Sequence, residues 1–152
     1  PGGWYYEQQV LGFNYRLTDI QAALGLSQLG RLPRFIEQRQ QLAARYDELL
    51  TQLPAQPLRQ IDDRHSGYHL YVIRVADRDR VFARLREAGI GVNVHYMPIP
   101  AQPYYRELGH DPAAYPGAQT YYRQAISLPL FPTLSLDEQD EVVRALESVL
   151  CA

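Results

Sequence analysis

"YHLYVIRVADRDRVFARLREAGIGVNVHY", Tyr68 to Tyr96, changes its hydrophobic period twice. The opening, Tyr68 to Val75, is rich in aromatic and β-branched residues and predicts a strand. Asp79 then stands as the cap of a short helix carrying Val81, Phe82 and Leu85, and Gly89 provides the residue that closes it. "IGVNVHY" predicts the next strand, ending at Tyr96.

Upstream, Pro33 opens a helix at a first-turn position where its missing N–H costs nothing. Phe35, Leu42, Tyr46, Leu49 and Leu53 recur on one face of that helix, which runs for about five turns. Such a length suits a spine between two domains. Further back, Thr18 and Gln21 have capping-box spacing, predicting a helix over about Asp19 to Leu29. Pro54, Pro57 and the polar run to Gly67 form a connector.

Downstream, Met97 to Gly117 holds five of the 11 prolines, so it cannot be regular throughout, and an irregular stretch of that length is usually functional. Ala118 to Ala125 predicts a helix and "ISLPL" a short strand. Ser135 and Glu138 form a second capping box, opening a helix whose Val142, Val143, Leu146, Val149 and Leu150 make one stripe. The fold class is α+β: a small sheet covered by helices and entered through a long helix.

Composition narrows the function. A chain of 152 residues, 46% hydrophobic, suffices for one domain that buries roughly 68–70% of its unfolded surface. With a net charge of -2 and interspersed signs there is no broad basic face, so nucleic acid is not expected as a partner. No apolar run approaches the ~18 residues of a membrane span and no signal peptide is recognised, so no membrane partner is expected. A single cysteine, Cys151, leaves no internal disulfide and fits a reducing compartment, giving a cytoplasmic expectation. All 15 basic residues are arginine, and lysine is absent. The opening Pro1-Gly2-Gly3, without Met, leads us to expect a piece of a longer protein.

Motifs of catalysis are scarce: there is no P-loop, dinucleotide fingerprint or nucleophile elbow. His65, His69, His95 and His110 lack metal-ligand spacing, so no metal site is expected. In "GFNYRLTDIQAAL", Asn14 and Arg16 place an amide and a permanent guanidinium just before helix N–H groups, the components of an anion or phosphate site. Taken alone, these residues favour a plainer reading, in which Asn14 makes a turn and Arg16 pairs with Asp19, because Asn is a common turn former. His95 and Tyr96 end a strand at a loop, where functional groups commonly sit; a histidine held by a backbone carbonyl is the other reading. Tyr96, Tyr104, Tyr105, Tyr115, Tyr121 and Tyr122 are half of the 12 tyrosines. Such density suits a sugar or base, a subunit contact, or ordinary loop packing, and Trp4, Tyr5 and Tyr6 pose the same choice.

"WYYEQQVLGFNYRLTDIQAALGLSQLGRL", "GVNVHYMPIPAQPYYRELG" and "AISLPLFPTLSLDEQDEVVRAL" together resemble the C-terminal part of the DegT-type nucleotide-sugar aminotransferases, and within them the branch of pseudaminic acid biosynthesis. The resemblance runs from Trp4 to Leu150. It implies the small domain of a fold-type I, homodimeric enzyme that uses pyridoxal 5'-phosphate (PLP), held by a Schiff-base lysine in a large upstream domain. It implies amino transfer, from L-glutamate, to C4 of a UDP-linked 4-keto-6-deoxy sugar. It further implies that Asn14 contacts the PLP phosphate of the partner's site, that Arg16 contacts an anionic part of the site, and that His95 and Tyr96 face substrate. The implied organisation is a dimer-crossing segment and short helix at 1–31, an interdomain helix at 32–53 and a small α+β domain at 54–152.

Two departures stand out. Many relatives read "HYxPxH" where this chain reads "HYMPIP", so Pro100 stands in place of the second histidine and offers no side-chain donor. The chain also has no lysine, and a guanidinium that stays protonated cannot take its place. No catalytic residue is therefore expected here, and the piece alone is expected to be inactive. A stand-alone dimerisation or ligand-binding module is the alternative from another class. A small acid–base enzyme centred on His95 is the third, and no second titratable partner can be placed beside it.

Overall fold

The computed structural model describes residue 13 and residues 15–151, which form two compact units, Pro1–Pro33 and Arg34–Ala152. Asn14, Trp4, Tyr5 and Tyr6 lie outside the described residues.

In the first unit, α1 spans Asp19–Leu29. Its capping box forms in both directions: Thr18 Oγ1 accepts the Gln21 N–H at 3.3 Å, and Gln21 Oε1 accepts the Thr18 N–H at 3.0 Å. None of its residues is buried. Leu17, Ile20, Leu24, Leu26 and Leu29 all lie open to solvent.

Helix α2, Leu32–Leu49, begins at the border of the two units, with Pro33 in its first turn. Its buried side chains are Leu42, Ala43 and Tyr46. The helix stops earlier than the periodicity predicts, because Thr51 Oγ1 and its N–H both turn back to Glu48 O. Leu53 still packs against the core, from a turn rather than a helix.

Three antiparallel strands follow in spatial order β1 (Gln56–Pro57), β2 (Tyr71–Arg74) and β3 (Ala125–Leu128). Helix α3, Arg78–Glu87, lies between β2 and β3 in sequence. It starts one residue before the expected cap: Asp77 is the N-cap without a side-chain capping bond, and Asp79 pairs instead with Arg78 Nε. Gly89, at φ +83°, takes the left-handed position just past the helix, as the sequence predicts.

The second predicted strand is absent. Between Ile90 and Tyr96 one bridge forms, Asn93 to Ser127. The neighbouring donors are used locally, since Val92 N–H returns to Ile90 O and Val94 N–H is taken by Asn93 Oδ1. The proline-rich stretch then breaks into short helical pieces that prolines initiate: a 3-10 turn at Ile99–Ala101, α4 at Pro103–Glu107, a second turn at Pro112–Ala114 and α5 at Pro116–Gln124.

The last helix, α6 (Leu136–Leu150), opens with the Ser135–Glu138 box in both directions and packs on α3. Its Val142, Val143, Leu146 and Val149 join Ile73, Ile126, Leu85 and Tyr46 in one core, and Leu146, Ile73, Ile126 and Leu85 are fully excluded from water. Polar clamps fix α2 within this layer. Gln139, at 0% exposure, donates to Leu42 O at 2.8 Å and accepts from Arg45 Nη1 at 3.1 Å. Arg39 Nη1 reaches the carbonyls of Tyr68, His69 and Leu130 at 3.0, 3.2 and 3.1 Å.

Candidate functional site

Strand alternation decides what surrounds His95. Tyr71, Ile73 and Val75 of β2 and its extension face the core, as do Ile126 and Leu128 of β3. Val72 and Ser127, paired across the two strands, therefore point to the opposite face. The Asn93 bridge draws the following residues along β3: Ser127 N–H donates to Asn93 O at 2.8 Å, and Asn93 N–H to Ser127 O at 3.2 Å.

His95 is thereby set over Ser127, with His95 Nδ1 and Ser127 Oγ 2.7 Å apart. The Tyr121 hydroxyl of α5 donates to His95 O at 3.3 Å. Burial holds the Tyr121 phenol above its ordinary pKa. Tyr96 stands edge-on to the imidazole, with centroids 4.6 Å apart and planes at 72°. Tyr96 itself is 68% exposed. An oriented imidazole beside an open phenol ring offers a hydrogen bond and a face for a sugar or base.

The tyrosine-rich stretch divides by role. Tyr121 and Tyr122 are half-buried, Tyr122 lying with its ring centroid 5.0 Å from the guanidinium carbon of Arg78. Tyr104 and Tyr105 meet edge to face at 5.3 Å, and Tyr96, Tyr104, Tyr105 and Tyr115 all remain open. Ser127 and Tyr121 carry the support of His95, and sequence reading did not single out Ser127. A serine within the apolar "ISLPL" strand was the available signal, because a buried hydroxyl there needs a partner.

Arg16 belongs to the first unit and His95 and Tyr96 to the second, so the geometry of each is described within its own unit. Arg16 is exposed just ahead of α1, where Phe13 and Tyr15 stack at 5.3 Å. The capping box uses the N–H groups of Thr18 and Gln21, leaving those of Asp19 and Ile20 at the helix start. A carboxylate, Asp19, also sits in that first turn. The guanidinium and the remaining N–H groups fit a supporting contact to a phosphate. A chain without lysine does not fit its covalent attachment. Among the described residues no group of His, Cys, Asp and Glu could hold a metal ion, and no helix is long and apolar enough to cross a membrane.

The profile of the DegT/DnrJ/EryC1/StrS aminotransferase family matches residues 3–147. The chain belongs to that family. It is 36% identical over 159 aligned residues to the spore coat polysaccharide biosynthesis protein SpsC of Bacillus subtilis, covering 98% of this chain and 41% of that protein. Among solved structures, the putative sugar aminotransferase Spr1654 of Streptococcus pneumoniae in its apo form superposes with a TM-score of 0.86 at 34% identity, over 96% of this chain and 38% of that one. The same protein is known in PMP and PLP forms. Helicobacter pylori PseC, an aminotransferase involved in the biosynthesis of pseudoaminic acid, superposes with a TM-score of 0.84 at 29% identity, over 99% of this chain and 42% of that one. The chain thus spans about two-fifths of the length of these relatives. Its α+β fold is that of the C-terminal part of the fold-type I sugar aminotransferases.

Proposed function

We propose that this chain is the C-terminal portion of a PLP-dependent enzyme that transfers an amino group, from L-glutamate, to C4 of a UDP-linked 4-keto-6-deoxy sugar. The superposition on Spr1654, at 34% identity across 96% of the chain, carries this reading. The likeness to PseC favours a pseudaminic acid-type pathway, with UDP-4-amino-4,6-dideoxy-N-acetyl-β-L-altrosamine transaminase as the nearest activity. The enzyme is read as a cytoplasmic homodimer in which Asn14 reaches the neighbouring subunit's PLP phosphate and Arg16 neutralises an anionic part of the same site.

When bound, PLP supplies the electron sink that lets an amino group move between donor and sugar carbons. The residues of this chain bind and orient. Asn14 and Arg16 offer an amide donor and a fixed positive charge to phosphate oxygens. His95, held from behind by Ser127, offers its outer nitrogen to a polar group of the sugar nucleotide. The exposed Tyr96 ring offers an apolar face beside it. Pro100 has no side-chain donor, so any substrate contact made by the second histidine of "HYxPxH" in relatives is missing here.

The test is amino transfer by the longer protein that contains these residues, followed by mass analysis of the sugar nucleotide. A UDP-4-keto-6-deoxy sugar should gain an amine in the presence of L-glutamate. Asn14→Ala in that protein should loosen PLP retention. Failure to aminate any keto-sugar nucleotide, or unchanged PLP affinity in the variant, contradicts the corresponding part of the reading.

A further inference from the structure

Ser127 is 5% exposed, and its hydroxyl makes one hydrogen bond among the described residues, to His95 Nδ1 at 2.7 Å. A hydroxyl has one proton to place and lone pairs to spare, and a buried donor left without an acceptor is the costlier defect. For that proton to be paired among the described residues, it must point at His95 Nδ1, the one partner of the hydroxyl. A nitrogen that accepts carries no hydrogen of its own in the neutral ring. The ring proton must then sit on Nε2.

We propose that Ser127 is a positioning residue that locks neutral His95 in the Nε2–H tautomer, so that His95 presents a hydrogen-bond donor to an oxygen acceptor of the sugar nucleotide. The two residues lie 32 positions apart in sequence. The Asn93–Ser127 bridge, made by backbone groups alone, sets their spacing and survives a change of the Ser127 side chain. Tyr121 anchors the same turn through the backbone carbonyl of His95, so the residue is held at its main chain as well as at its ring. The donor assignment rests on the reading that His95 faces substrate, whereas the tautomer assignment does not.

With 15N-labelled histidine, long-range proton–nitrogen correlations at alkaline pH, where imidazole is neutral, separate the two tautomers. His95 is expected as Nε2–H in the unchanged protein and as a mixture in Ser127→Ala. Ser127→Thr, which keeps the hydroxyl, should restore the single form. An Nδ1–H ring in the unchanged protein, or a tautomer that ignores Ser127→Ala, overturns the proposal. In the longer enzyme, Ser127→Ala should raise KM for the sugar nucleotide about three- to tenfold with a smaller change in kcat, the loss of one neutral hydrogen bond. A tautomer that shifts while KM stays constant keeps Ser127 as the positioning residue, overturns the donor role and removes His95 from the substrate site.

Discussion

At the scale of single residues, phenols decide the alkaline behaviour of the small domain. Tyr71 donates to Asp47 Oδ1 at 2.6 Å and stacks on Tyr46 at 4.8 Å. Burial, reinforced by the Asp47 hydrogen bond and charge, raises the Tyr71 pKa well above its ordinary value. A raised folded-state pKa gives stability that is complete below the unfolded value of about 10 and is lost as pH rises toward the folded one. Tyr71→Phe should therefore lower stability by about 1 kcal/mol at neutral pH, for the lost bond, and make the decline above pH about 10 shallower. Urea titrations at several pH values would show it, and parallel declines in both proteins would contradict it. Arg39 holds a second long-range network. Removing its side chain leaves the carbonyls of Tyr68, His69 and Leu130 without that donor, and Arg39→Ala should cost roughly 1–3 kcal/mol in the same measurement. Neither network could be read from sequence, because Arg39 is 91 positions from Leu130 and carries no local signal.

At the scale of elements, the capping boxes were legible because they are local. Ser135–Glu138 and Thr18–Gln21 each act within one helical turn, and both form as their spacing predicts. Ser135→Ala should destabilise the second unit by about 1 kcal/mol. The Ser135 backbone N–H, and then its hydroxyl, lower the pKa of Glu138 below its ordinary value. The sign follows from that direction: the stabilisation is present above the ordinary carboxylate range and lost as pH falls through the folded-state value. The difference in urea midpoint between the unchanged protein and Glu138→Ala should accordingly vanish in acid. A difference that persists at low pH would contradict the electrostatic account. The segment at 90–96 was misread as a strand for the opposite reason. Its β-branched residues do favour extension, yet Val92 N–H donates to Ile90 O and Asn93 Oδ1 accepts the Val94 N–H, so these groups are used locally, whereas a ladder depends on partners far away in sequence. Deep in the core the periodicity was decisive. Leu146→Ala, at a fully buried position of α6, should cost about 2–5 kcal/mol.

At the scale of the whole molecule, the fold class was legible from the pattern of elements and the family from long gapless motifs, whereas the pairing of His95 with Ser127 required the sheet. The first unit leaves its apolar side chains open to solvent among the described residues. Its helix α1 buries none of its residues, and Leu24 is 61% exposed. Leu24→Gln should leave the stability of the 152-residue chain within about 0.5 kcal/mol and weaken the longer enzyme, by thermal unfolding of both. Equal effects in the two would count against burial of α1 in the complete protein. Lysine, absent from all 152 residues, sets the limit on what this polypeptide can do with the coenzyme. The most direct measurement is intact mass after incubation with PLP and reduction by borohydride, with the terminal amine blocked. The 152-residue chain should gain no pyridoxyl group, and the longer protein should gain one per subunit. A stoichiometric adduct on the short chain would contradict the account.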